Sequence, residues 1–244
     1  MDRKIFWAVL TYKSPPETAP QLLDISAQAA VNGYRRIAVR PQRTDMVRNW
    51  LIDIFMREST DPHDTLIMLD EDHMHPTDIL QRLVAWDSPV VGGLSFKRGP
   101  NYSPLAWVWY PKDNGFRAMA EWPKGALMKV DAVGVNACAI QRGAILQCEA
   151  WGLYRPYFRY EYKPREEWYP SEDMTWFRAC VQAGIECYCD TSLVSPHLDA
   201  GWVEESSWAE WVRDHPQELP PKVGGDEVKV EEVIPVKSQE AAQV

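Results

Sequence analysis

The first hundred residues alternate strand and helix signals, and that alternation limits the fold more than any other feature of the chain. Residues 5–11 form an apolar run of strand length. A loop marked by Pro15, Pro16 and Pro20 leads to helical periodicity over 21–31, and residues 34–39 form a second strand. Residues 45–56 predict a helix with Met46, Trp50 and Ile54 on its apolar face. Residues 65–69 are wholly apolar, as a strand buried on both faces should be. Pro76 fits the first turn of a helix running to about Trp86, and residues 90–96 give a fourth strand. This β-α-β-α-β-α-β order predicts an α/β fold: a mostly parallel central sheet with helices on both faces.

The alternation stops near residue 97. Turn signals at Arg98-Gly99-Pro100, Lys112-Asp113-Asn114-Gly115 and Pro123-Lys124-Gly125 flank short alternating stretches such as 105–110. They predict one or two hairpins, a smaller antiparallel region beside the main sheet. Residues 130–140 read as a strand and 161–170 as a polar, aromatic loop. Residues 172–183 read as a helix stopped by Gly184, followed by strands at 185–189 and 193–197. Residues 217–244 turn to Pro, Gly, Glu, Lys and Val and are expected to be a disordered tail, so that 1–216 make one domain.

Composition narrows the partners. Of 244 residues 45% are hydrophobic, enough for a sizeable core. The net charge of −9 is uneven: residues 1–100 carry 12 basic against 13 acidic side chains, and the rest of the acidity lies beyond them. A protein living on duplex DNA presents a basic surface, and there is no such signal here. No apolar run approaches bilayer length, and the run after Met1-Asp2-Arg3-Lys4 is too short for a signal peptide. The five cysteines are odd in number and lack metal-site spacing; reduced, buried thiols in a cytoplasmic protein are expected.

The strongest local signal is Leu66-Ile67-Met68-Leu69-Asp70-Glu71-Asp72-His73, a buried strand that discharges into three consecutive acids. Ligands of open α/β sheets bind at the carboxyl ends of strands. Adjacent carboxylates repel unless a cation bridges them, and oxygen ligands suit Mg²⁺ or Mn²⁺, ions that neutralise a diphosphate leaving group. Acids before a helix N-terminus also favour its dipole without any metal. His73 and His75 would admit zinc, but D-E-D-H-M-H is not a zinc-site spacing, and His75 beside Pro76 fits helix-entry structure.

Taken in order, several blocks resemble the GT-A-fold glycosyltransferases of the family-2 type, which use nucleotide-diphosphate sugars. Arg48-Asn49 lies in the helix before the third strand, and Leu69-Asp70-Glu71-Asp72 resembles the D-x-D metal motif. Val130-Asp131-Ala132-Val133-Gly134 resembles the strand lining the sugar and acceptor site, although Asn136 stands where many relatives carry a second Gly. Ser171-Glu172-Asp173 resembles the E-D motif heading a helix, and Val194-Ser195-Pro196-His197 the closing strand with its metal-ligand His.

The resemblance implies roles. Asp72 and His197 would hold Mn²⁺ or Mg²⁺, with Asp70 supporting the metal or the ribose and Glu71 beside them. Asp173 would be the base, with Glu172 orienting it or binding acceptor hydroxyls. Thr11 and Tyr12 would meet the base of a UDP- or GDP-sugar donor. Arg40, Arg43 and Arg48 cluster where phosphate or the acidic triplet could pair with them; Asp45 fits a base contact and an N-cap equally. Asp131, Gly134, Trp109 and Trp168 would face the sugar or acceptor. On this reading 1–96 form a nucleotide-binding half and 97–216 a sugar/acceptor half, and transfer inverts the anomeric carbon. The acceptor, a glycan, a protein or a modified base, is open, and phage-encoded relatives of this look make a phage origin an analogy. Three other readings compete. Nucleotidyl transfer is disfavoured because no Gly-rich phosphate loop follows the first strand. A metal-dependent nuclease would need more carboxylates around one centre. A non-catalytic carbohydrate-binding protein would use the 12 tryptophans but leave the acids idle.

Overall fold

A computed structural model describes residues 3–11, 15–99, 101–161, 171–199, 201–216 and 233–235. Its frame is an eight-stranded sheet. From one edge to the other lie β13 (Val233–Pro235), β7 (Ala126–Val130), β10 (Cys187–Val194), β4 (Val90–Leu94), β9 (Ala137–Gln141), β3 (Thr65–Asp70), β1 (Ile5–Leu10) and β2 (Arg35–Arg36). All but β7 and β9 run in one direction. The mostly parallel α/β architecture is therefore present.

Strand periodicity explains the layers. Phe6, Ala8 and Leu10 of β1 and Leu66 and Met68 of β3 face one side, where they pack on α2 (Thr44–Glu58), α4 (Arg142–Trp151) and α5 (Glu172–Gln182). Ile5, Trp7, Val9, Ile67 and Leu69 face the other, against α1 (Ala19–Val31) and α3 (Ile79–Ala85). Both faces are covered, so β1 and β3 must be apolar throughout, as they are. A second sheet joins the hairpin β5 (Ala106–Tyr110) and β6 (Gly115–Ala118) to β8 (Ala132–Val133). A third pairs β11 (His197–Leu198) with β12 (Trp202–Val203), and α6 (Glu205–Asp214) follows.

Several expectations need correction. The inner face of α2 is Val47, Leu51, Ile52 and Phe55, whereas Met46 and Trp50 are exposed. Two rows of three apolar residues at spacing four lie side by side there, Met46-Trp50-Ile54 and Val47-Leu51-Phe55, and the second, with Ile52 beside it, faces the core. Residues 130–140 do not form one strand: the chain breaks at Gly134-Val135-Asn136, and β8 and β9 join different sheets. The strand expected at 34–39 shrinks to two residues, and the two expected at 185–197 become the bulged β10 and the short β11. Helices α4 and α6 were not anticipated. The tail's expected disorder lies mostly outside the described residues; the exception is β13, whose backbone pairs with the β7 edge. Trp168 and Tyr12 also lie outside them. The five cysteines are buried and form no disulfide.

Close approach of β4 to β10 sets a strict size limit. A Cβ on Gly93 would lie 2.8 Å from the Leu193 carbonyl oxygen, which belongs to backbone and cannot turn away. Gly93→Ala is expected to cost about 1–3 kcal/mol in a denaturant-unfolding measurement. No helix among the described residues is long and apolar enough to cross a membrane.

Candidate functional site

The acidic triplet stands where β3 leaves the core. Asp70 N–H still donates to the Asn136 carbonyl (2.8 Å) and Glu71 N–H to that of Leu10 (3.3 Å), so backbone on either side holds the first two acids as β3 ends at Asp70 and turns at Glu71. They open onto a cavity of about 540 Å³ at the carboxyl ends of β1 and β3, whose walls include Thr11, Thr44, Asp70, Asp72, Arg98 and Asp199. That volume suits a ligand of nucleotide size.

Beyond β3 the chain zips against the segment that follows β10. Met74 N–H donates to the Pro196 carbonyl and Leu198 N–H to that of Asp72, each 2.8 Å. This bridge brings His197 to the triplet, and the His73 and His197 rings stack with centroids 3.9 Å apart. His73 Nδ1–H donates to Asp72 Oδ1 (2.9 Å). His197 Nδ1 lies 3.0 Å from the Phe96 carbonyl oxygen, which can only accept, so Nδ1 carries the proton. Its Nε2 then faces Asp72 Oδ2, 3.4 Å away. A proton on Nε2 or a metal ion between the two atoms makes that approach favourable. A carbonyl that fixes the far nitrogen of a ligand imidazole is the usual support of a metal-binding His. Ligand atoms of Asp72, His73 and His197 all lie within 4.8 Å of one another. The donor set therefore fits a divalent cation. Although burial works the other way, His197 and His73 hold the Asp72 carboxyl well below the usual carboxylate range. Arg98 Nη1 reaches the same Oδ2 at 3.2 Å.

His75 is structural. Its Nε2–H donates to the Asp70 carbonyl (2.9 Å) and its Nδ1 accepts from Ser195 Oγ (3.0 Å). Burial pushes its pKa down to about 3, so it stays neutral and fixes the turn that aims the acids.

Underneath lies a buried charge network. Arg48 of α2 pairs with Glu172 at 2.5 Å and with Asp70 at 3.5 Å, tying the strand end to the head of α5. Burial opposes the Arg48 charge, but the Asp70 and Glu172 carboxylates outweigh it and raise its pKa. Asn49, the next residue, holds the backbone of Phe158 through its side-chain amide. Asp173 Oδ1 accepts from Ser171 Oγ and from Met174 N–H (2.9 Å), which fixes the carboxylate at the helix head.

No protein-family model matches the chain, and no curated protein matches it. Among solved structures, A197 from STIV is 17% identical, with 81% of this chain and 86% of that one covered and a TM-score of 0.48. A 4-diphosphocytidyl-2C-methyl-D-erythritol synthase is 13% identical, covers 87% and 98% of the two chains, and has a TM-score of 0.39. The nucleoside-diphosphate-sugar pyrophosphorylase from Vibrio cholerae RC9 is 12% identical, covers 86% and 80%, and has a TM-score of 0.38.

The other expected residues separate into those at the cavity and those used in packing. Thr11 lines it. Arg43 makes a two-pronged pair with Asp45 (2.6 Å each), so the two answer one another, and Arg43 rather than Asp45 stands at the N-cap of α2. Arg40 is exposed. Asp131 Oδ2 accepts from Trp109 N–H (2.7 Å), pinning β5 to the strand beside it. Gly134 is demanded by space: a Cβ there would lie 2.1 Å from Asn136 Oδ1 and 3.1 Å from Leu105 Cβ. Trp109 packs edge-on to Phe116 within the hairpin. Sequence reasoning missed Arg98, read only as part of a turn, and gave His73 no place beside His197. An imidazole directly after a D-x-D was the available signal for His73; nothing local marked Arg98.

Proposed function

We propose that this cavity binds a nucleotide-diphosphate sugar through a divalent cation and that the chain is a transferase moving the sugar to an acceptor hydroxyl. The convergence of Asp72, His73 and His197, whose ligand atoms lie within 4.8 Å of one another with the far nitrogen of His197 held by a carbonyl, carries this reading. Mn²⁺ or Mg²⁺, held there with support from Asp70, would neutralise charge developing on the leaving diphosphate. Thr11 lies on the cavity wall at the end of β1, where a nucleoside would rest. Arg48 holds Asp70 and the head of α5 in fixed relation, with Glu172 as its buried counter-ion beside Asp173. Asp173, with Oδ1 fixed by Ser171 and Met174, would take the acceptor proton on Oδ2. The acceptor oxygen would form its bond to the anomeric carbon as the bond to the diphosphate breaks, inverting that carbon.

Nucleotidyl transfer is the second reading. It would use the same cation pair on a nucleoside triphosphate and release pyrophosphate. In this reading Asp131, which accepts from Trp109 N–H, and Gly134, closed in by Asn136 and Leu105, would serve packing. One assay separates the two. The chain is incubated with Mn²⁺ and either UDP- and GDP-sugars or nucleoside triphosphates plus sugar phosphates. Release of nucleoside diphosphate supports glycosyl transfer, pyrophosphate supports nucleotidyl transfer, and the absence of any Mn²⁺-dependent nucleotide binding sinks both.

A further inference from the structure

We infer that Arg98 is an exchangeable counter-ion: it neutralises Asp72 while no divalent cation is bound, and passes to the ligand's phosphate oxygens once the cation arrives. The inference rests on the cation-site reading above and adds to it a residue outside the resemblance. Three observations carry it. Arg98 Nη1 lies 3.2 Å from Asp72 Oδ2, the oxygen that also faces His197 Nε2 at 3.4 Å, so the guanidinium and a cation compete for one oxygen. The Arg98 side chain is 54% exposed and lies on the cavity wall, whereas that of Arg48 is 5% exposed and locked between two carboxylates. Of these two arginines only Arg98 can change partner. Its loop is nonetheless anchored: Phe96 pairs with Pro104, Lys97 N–H donates to the Ser103 carbonyl (2.9 Å), and the Phe96 carbonyl holds His197. The swing is thus confined to the side chain.

Electrostatics fixes the direction of the exchange. A half-exposed ion pair contributes little, so giving it up costs little. A divalent cation on Asp72 would repel the guanidinium across a few ångströms. A diphosphate brought in by that cation offers paired oxygens that match the guanidinium fork. Arg98 should therefore weaken binding of the cation alone and strengthen binding of a nucleoside diphosphate.

Titration calorimetry on the full chain tests this with Mn²⁺ alone, and with UDP and with GDP at saturating Mn²⁺. In Arg98→Ala, Mn²⁺ alone should bind about twofold to fivefold tighter, while the better-bound of the two diphosphates should bind about tenfold to a hundredfold weaker. Arg98→Lys should restore wild-type Mn²⁺ affinity but recover diphosphate affinity only in part, since a point charge lacks the fork. Changes of the same sign in both titrations, or no change in either, would overturn the exchange. Asp72→Asn is the control: if it leaves Mn²⁺ binding intact, the cation-site reading has failed; if it removes Mn²⁺ binding while Arg98→Ala changes nothing, only the role of Arg98 has failed.

Discussion

Asp72→Asn is expected to lower cation-dependent turnover by about a hundredfold to a thousandfold, the equivalent of losing a few kcal/mol of charge stabilisation at the leaving group. The amide keeps the size of the side chain, and one face of it can still accept from His73 Nδ1–H, so the fold should survive. What disappears is the negative charge facing His197 Nε2 and Arg98. The measurement pairs product release with Mn²⁺ titration on the same preparation. A variant that turns over normally and keeps its Mn²⁺ affinity would remove Asp72 from the site. His197→Ala should weaken Mn²⁺ binding in the same assay, because the Nε2 ligand goes while the Phe96 carbonyl that oriented it remains.

The second large effect is structural. Arg48→Met should destabilise the chain by about 3–5 kcal/mol, since it leaves the Glu172 carboxylate buried without its counter-ion. Its dependence on pH has a definite sign. In the native chain burial pushes the Glu172 carboxyl up, against the pull of Arg48, and neighbouring Asp173 pushes the same way. A carboxyl whose folded pKa is raised contributes stability present below the ordinary glutamate range and lost as pH rises through the folded value. Removing Arg48 strengthens the upward push. The deficit of Arg48→Met should therefore be largest near neutral pH and shrink as pH falls toward about 4.5. Urea unfolding of both proteins at several pH values reads this directly. A deficit that is equal at all pH values would mean that packing on Phe158, which the guanidinium overlies at 5.8 Å, matters more than charge.

How far the sequence reached depended on whether a signal was local. β1, β3 and β4 were legible because strands buried on both faces are uninterrupted apolar runs, and α5 because Gly184 supplies a left-handed stop at φ +68°. The acids at the end of β3 were legible for the same reason: a charged triplet after a wholly buried strand has to be where that strand emerges. The convergence of His197 on Asp72 was available only through a resemblance. It depends on a bridge between segments 125 residues apart, for which neither segment carries a local mark. Asp131 was named as a site residue only through the resemblance of Val130-Asp131-Ala132-Val133-Gly134 to a sugar-lining strand. Its engagement with the Trp109 amide is a pairing across sheets that no period in the sequence encodes. Arg98 was invisible because a basic residue beside Gly99 is what any exposed turn carries.

The position of β9 has a consequence for how the chain is made. β9 lies between β3 and β4, antiparallel to both, and every one of its residues is buried. A ribosome that has released only the first hundred residues has delivered β3 and β4 without the strand that joins them. Three strand edges then wait, open to pairing with other nascent chains: those facing β9 until residue 141 emerges, and the β4 edge facing β10 until residue 194. Hydrogen-exchange labelling of chains stalled at increasing lengths should show protection of the β9-facing amides of β3 and β4 arriving together, and only after β9 has cleared the exit. The half that holds β1 to β4 is thus first in sequence yet cannot be first to fold. A gene fragment ending near residue 96 should yield aggregate rather than a working half.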